Sequence, residues 1–200
     1  MRTPWAAVAA ALGSVLVLGA CTAGSDAPPP ARSSSSAQAS STPQPPVTKP
    51  APIDPASVDT SNPEVVAEAV AVASVTWDTT LHDSEFDAAR SVTALMTPQL
   101  AAAYAPAGPD AHPSTDARWA QARDLHAYAV PDVRTAQDNH AAPPDTATTV
   151  YRVYDATWTW HGDGGQTIHD PRTRYLYVTV SQQPDGRWLV STLDVSDVGG

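Results

Sequence analysis

An α+β fold, with N-terminal helices packed on a curved antiparallel sheet, is predicted for residues 60–200 of this 200-residue chain. Three observations predict it. Helix-start signals crowd residues 61–126, strand patterns fill residues 128–195, and short turns separate the strand runs, which makes neighbouring strands antiparallel. About 140 residues is enough to bury a core without staples.

Ser61-Asn62-Pro63-Glu64 opens the first helix, with Asn62 as N-cap, Pro63 as first helical residue and Glu64 at the positive helix end. Val65, Ala69, Ala73 and Trp77 fall at i+4 steps, widened by Val66, Val70 and Val72, and predict a helix ending near Trp77 to Thr80. Ser84 caps a second helix, completed as a box by Asp87, with Phe86, Ala89, Val92, Leu95 and Met96 as its apolar face. Thr97-Pro98 restarts a short helix through Tyr104. Residues 105–114 read as a loop. Residues 115–126 read as a further helix with Trp119 and Leu125 inward.

Strands follow. Residues 128–136 contain Pro131 and therefore predict an edge or bulge. Residues 138–144 read as a turn. Residues 147–161 are rich in Thr, Val, Tyr and Trp, and are long enough to predict a bend. Residues 173–182 alternate Leu176, Val178 and Val180 against Tyr175, Tyr177 and Thr179. Gln183-Pro184-Asp185-Gly186 is a hairpin turn, and residues 187–195 close the sheet, with Trp188, Val190 and Thr192 on one face.

The opening helix NPEVVAEAVAVASVTW, the LMTPQLAAAY exit and the closing GRWLVSTLDV resemble the NTF2-like cone family, also called cystatin-like or SnoaL-like. The resemblance spans about residues 62–198 and is architectural, with no diagnostic catalytic motif. It implies a membrane-envelope setting, since extracytoplasmic members include lipoproteins and accessory domains of envelope and conjugation machinery.

The N-terminus carries an address. Arg2 precedes an uncharged apolar run over residues 6–18, within the length of a signal-peptide core and too short to span a bilayer. Leu18-Gly19-Ala20-Cys21 resembles the lipobox of bacterial lipoproteins, which implies cleavage after residue 20 and lipidation of Cys21, palmitate among the chains. Two acyl chains suffice for stable anchoring. An ordinary secretory signal, with Cys21 incidental, is the alternative. Residues 21–59 read as the lipidated Cys and a disordered tether, because nine of the chain's twenty prolines sit there with no aromatic residue. Such a coil spans roughly 35 Å. These features predict a lipid-anchored protein on the extracytoplasmic face of the cell membrane. One Lys against ten Arg, with abundant Ala, is the composition of a high-GC, actinobacterial genome.

Charge narrows the function. Net charge is −10 with pI near 4.7, which argues against nucleic-acid partners. Residues 60–200 carry eight Arg, no Lys and eighteen acidic residues. A single Cys excludes an intrachain disulfide framework and a multi-Cys zinc site. No G-x-S-x-G, H-E-x-x-H, P-loop or G-x-G-x-x-G is present.

Few residues offer chemistry, and no cofactor is implied. Asp155, mid-strand beside Tyr154 and Trp158, and Asp78, after Trp77, are the candidate general bases. The competing reading of Asp155 is a solvent-facing residue paired across the strand with an arginine such as Arg174. His126 and Tyr104 are placed to line a cone mouth. Trp77, Tyr104, Trp158 and Trp160 are candidate pocket residues, with core packing as the simpler role of the tryptophans. His161, Asp163, His169 and Asp170 are candidate metal ligands, although Asp-Gly and Asp-Pro are also what a hairpin loop requires. Three functions remain: a non-catalytic module binding an envelope protein, a carrier of a small apolar ligand, and an isomerase- or cyclase-like enzyme. A packed cone with an exposed apolar patch favours the first; a large Trp-lined cavity favours the second.

Overall fold

The computed structural model describes residues 47–105, 114, 116–137 and 142–199. Cys21, the apolar run before it and the first part of the tether lie outside the described residues.

Four helices precede and cover one face of an antiparallel sheet: α1 (Pro63–Ser74), α2 (Glu85–Arg90), α3 (Pro98–Ala103) and α4 (Ala117–Asp124). The strands are β1 (Tyr128–Thr135), β2 (Thr149–His161), β3 (Thr167–His169), β4 (Thr173–Gln182) and β5 (Trp188–Val198). They order β1-β2-β4-β5, with β3 on β2, and the sheet is not closed. The α+β class stands.

Each helix starts where a polar side chain meets an orphan N–H. Asn62 accepts from the Glu64 amide at 3.0 Å, and Thr97 faces that of Leu100. Asp87 accepts from the Ser84 amide at 2.8 Å, and Asp116 from the amides of Arg118 and Trp119. Helix α4 closes in a Schellman motif: the Ala127 amide donates to Ala122 O and the His126 amide to Arg123 O. His126 thereby occupies the left-handed position, at φ 48°, which glycine usually fills.

The structure departs from the sequence reading in several places. The buried stripe of α1 is Val66, Ala67, Val70, Ala71, Ala73 and Ser74, so Val66, Val70 and Ala73 face inward as expected, whereas Val65 is exposed. The helix ends at Ser74, short of Trp77, because Ser74 and Thr76 hydroxyls donate back to Val70 O and Val72 O and the chain turns. Helix α2 stops at Arg90; a 3₁₀ turn at Thr93–Leu95 carries Val92, Leu95 and Met96 inward, and Phe86 is left 64% exposed. Residues 47–59, assigned above to the tether, include segments that lie against the domain: Ile53 and Val58 pack on the core and Val47 O accepts from the Tyr128 hydroxyl.

Two bulges bend the sheet. Residues 170–173 stand opposite only residues 157–158, so β2 changes partner from β4 to β3 there. On β5, Thr179 pairs with Thr192 but Val180 with Val190, so Ser191 is an extra residue. That insertion reverses the alternation: Leu193, not Thr192, joins Trp188 and Val190 in burial. Among the described strands β1 pairs only with β2, apart from a single bridge of Tyr128 to Asp78, and Pro131 sits on this edge as expected.

Candidate functional site

Strand alternation sends Trp158 and Trp160 of β2 to the helix-covered face, where α4 adds Trp119 and the chain after α1 adds Trp77. All four are at most 3% exposed. Trp77 stacks on Trp160 at 5.6 Å and meets Trp158 edge-on at 5.0 Å; Trp119 meets Trp160 edge-on at 5.6 Å. Three indole N–H groups, those of Trp119, Trp158 and Trp160, have no hydrogen-bond partner among the described residues. The fourth, of Trp77, donates to Glu85 O at 3.0 Å. These rings fill the interior on the β1–β2 side.

Two arginines close the cluster. Arg174 is 6% exposed and lies over Trp77 at 4.9 Å and Trp158 at 5.5 Å. Its guanidinium donates to both oxygens of Asp197, at 2.6 and 2.7 Å, and to Glu85 at 3.1 Å. Burial opposes its charge, but Asp197 and Glu85 outweigh that and raise its pKa. Arg174 is therefore taken by Asp197 and Glu85 rather than Asp155, and the arginine in cross-strand register with Asp155 is Arg134. Arg174 shares parity with Leu176, Val178 and Val180, and parity sends it to the buried face. Arg172 lies over Trp158 at 5.7 Å and binds Asp170 and the α4 cap Asp116.

On the β4–β5 side an open groove of about 380 Å³ remains. Phe86 and Ala89 of α2 form one wall, and Leu193 and Val195 of β5 the other. Phe86 and Val195 are 64% and 44% exposed. Glu85, Asp194 and Asp197 rim it against the single charge of Arg174. Tyr104 also lines it; burial, then Asp194, raise its pKa. The outer edge of β5 is engaged early, where Val190 O accepts from the Thr97 amide at 2.8 Å. From Leu193 onward no further strand pairs with that edge among the described residues.

The other sequence candidates are dispersed. Asp155 stands on the sheet face opposite Trp158 and Trp160, in register with Arg134 and Tyr175; one carboxylate oxygen is buried without a hydrogen bond among the described residues. Asp78 is 5% exposed. One oxygen accepts from the Thr80 amide and hydroxyl, and the other meets the Lys49 ammonium. Burial pushes this carboxyl up, but Lys49 and Thr80 outweigh it and hold the pKa below the ordinary value. His161 stacks on Tyr128, exposed Asp163 approaches His126 at 3.8 Å, His169 is exposed, and buried Asp170 is taken by Arg172. No group of three metal-ligating side chains forms among the described residues. No described helix is long and apolar enough to cross a membrane.

Sequence reasoning missed Phe86 as an exposed residue, Arg174 as the lid of the cluster, and Lys49. The strand parity of Arg174 was a usable signal; the packing of Lys49 left none. No family model, curated protein or solved structure matches the chain.

Proposed function

We propose that this chain is a lipid-anchored, extracytoplasmic binding module of the cell envelope, built on an NTF2-like cone, which holds a protein partner and performs no reaction itself. The observation that carries the reading is the groove beside β5, where exposed Phe86 and Val195 flank a strand edge that no further strand extends among the described residues. Such an edge accepts an added strand through main-chain hydrogen bonds, and the groove supplies a side-chain pocket. The rim of Glu85, Asp194 and Asp197 suits an extended segment bearing basic residues. A second copy is a poor occupant, because Asp194 and Asp197 would face their own kind. Trp119, Trp158 and Trp160 are packed into the core, which counts against a ligand or substrate seated among those rings. The lipobox-like Leu18-Gly19-Ala20-Cys21 supports the anchor.

Two variants test the two halves. Cys21→Ala is expected to move the protein from the membrane fraction to the soluble one; retention without lipid label contradicts the anchor. Val195→Asp places a charge in the groove and is expected to abolish partner crosslinking while leaving the domain folded. Undiminished crosslinking contradicts the groove.

A further inference from the structure

On the other side of α1, residues 47–53 cross the domain as an extended strap. They make no backbone ladder among the described residues; their contacts are made by side chains and by the main-chain carbonyl of Val47. The Tyr128 hydroxyl donates to Val47 O at 2.9 Å, Ile53 packs on the core, and Lys49 ion-pairs with Asp78. Lys49 is the only lysine of the chain. Its ammonium also lies 5.8 Å from the centre of the Tyr128 ring. Pro50 and Pro52 lack N–H donors and favour the extended form, which explains why the strap forms no strand ladder.

The two ends of this ion pair differ. The Lys49 side chain is 50% exposed, whereas that of Asp78 is 7% exposed. The receptor half is thus built into the fold and the ligand half is superficial. The second oxygen of Asp78 has no hydrogen-bond donor other than this ammonium among the described residues, so leaving the site without a cation is costly. A carboxylate beside an aromatic face is the chemistry that recognises an ammonium. Beneath the strap lies a cleft of about 500 Å³, walled by Pro50, Pro52 and Ile53 on one side and by Trp77, Leu81 and Tyr128 on the other. Leu81 is 69% exposed at its margin.

We propose that the Asp78–Tyr128 cleft is a receptor site for a lysine side chain on an extended, proline-flanked segment, and that the chain closes it with its own Lys49. The strap is a ligand bound in cis, and a partner segment of the same pattern competes for the same carboxylate. This site is separate from the β5 groove and does not depend on it.

The test uses the full chain and a fluorescein-labelled peptide with the sequence of residues 46–53. The Lys49→Glu variant sets a negative charge against Asp78 and expels the strap. It is expected to bind the peptide saturably by anisotropy, while the wild-type chain, already occupied, does not. Replacing the peptide lysine by norleucine, or adding Asp78→Asn, is expected to weaken binding by about 30-fold or more. Circular dichroism establishes folding; if Lys49→Glu does not fold, Lys49→Met carries the same comparison. Failure of the folded variant to bind, or equal binding of the lysine and norleucine peptides, overturns the receptor site. Equal binding by wild type and variant overturns closure in cis.

Discussion

Replacing Trp160 by Ala tests whether the interior is a packed core or a latent pocket. Trp160 is 1% exposed and lies against Trp77 and Trp119, each at 5.6 Å. A buried Trp→Ala change costs about 3–5 kcal/mol through lost transfer energy and the cavity left behind. The two ring pairs place this site at the upper end, so about 4–5 kcal/mol is expected. A domain of this size has roughly 5–15 kcal/mol in total, and should lose about 10–20 °C in Tm. Trp160→Phe should cost only about 1–2 kcal/mol, because the indole N–H makes no hydrogen bond among the described residues. Urea unfolding followed by far-UV circular dichroism measures both, independently of the fluorophore removed. Millimolar indole should restore part of the stability of the Ala variant by filling a dry cavity. A cost below about 1 kcal/mol for Trp160→Ala would refute the reasoning, since the ring would then line an open cone that is already hydrated.

Two further outcomes follow from local chemistry. His126→Gly, at the left-handed cap of α4, should raise stability by about 0.5–1 kcal/mol in the same urea assay, and a loss would contradict the Schellman assignment. Burial lowers the pKa of His82 more than Asp78 and Asp87 raise it, so the fold favours neutral imidazole, which accepts from the Asp78 amide at 3.1 Å. The unfolded chain therefore binds the proton more readily. Stability from this group is complete above the ordinary histidine value of 6.5 and is lost as pH falls below it. Asp78 and Asp170, both held below 3.8, add a second loss as pH falls through the ordinary carboxylate range. Tm measured against pH should show both declines, and His82→Asn should flatten only the first.

What the sequence made legible was local. The caps at Asn62, Ser84 and Thr97 need only a side-chain oxygen within three residues of an orphan amide. The 173–182 strand follows from alternation, and the 183–186 turn from Gly186, whose φ of 87° closes the hairpin. What escaped depends on partners distant in sequence. The Ser191 bulge, which reverses the faces of β5, exists only in register with Thr179 and Val180. The fate of Phe86 depends on α2 being six residues long, which the Ser91 turn decides. The binding of Arg174 by Asp197 and Glu85 joins β4, β5 and α2. Residues 47–53 have the composition of a tether, and only Asp78, Tyr128 and the core surface explain their place.

The central claim is that the β5 groove holds a partner. Photo-crosslinking in intact cells tests it most directly, with a photoreactive residue at Phe86 or Val195 and, as a control on the opposite sheet face, at exposed Thr157. The account predicts one adduct of the same mass from positions 86 and 195, recovered with the membrane, none from 157, and a marked loss of yield with Asp194→Lys. Absence of an adduct from position 195, or equal adducts from 157, would contradict it.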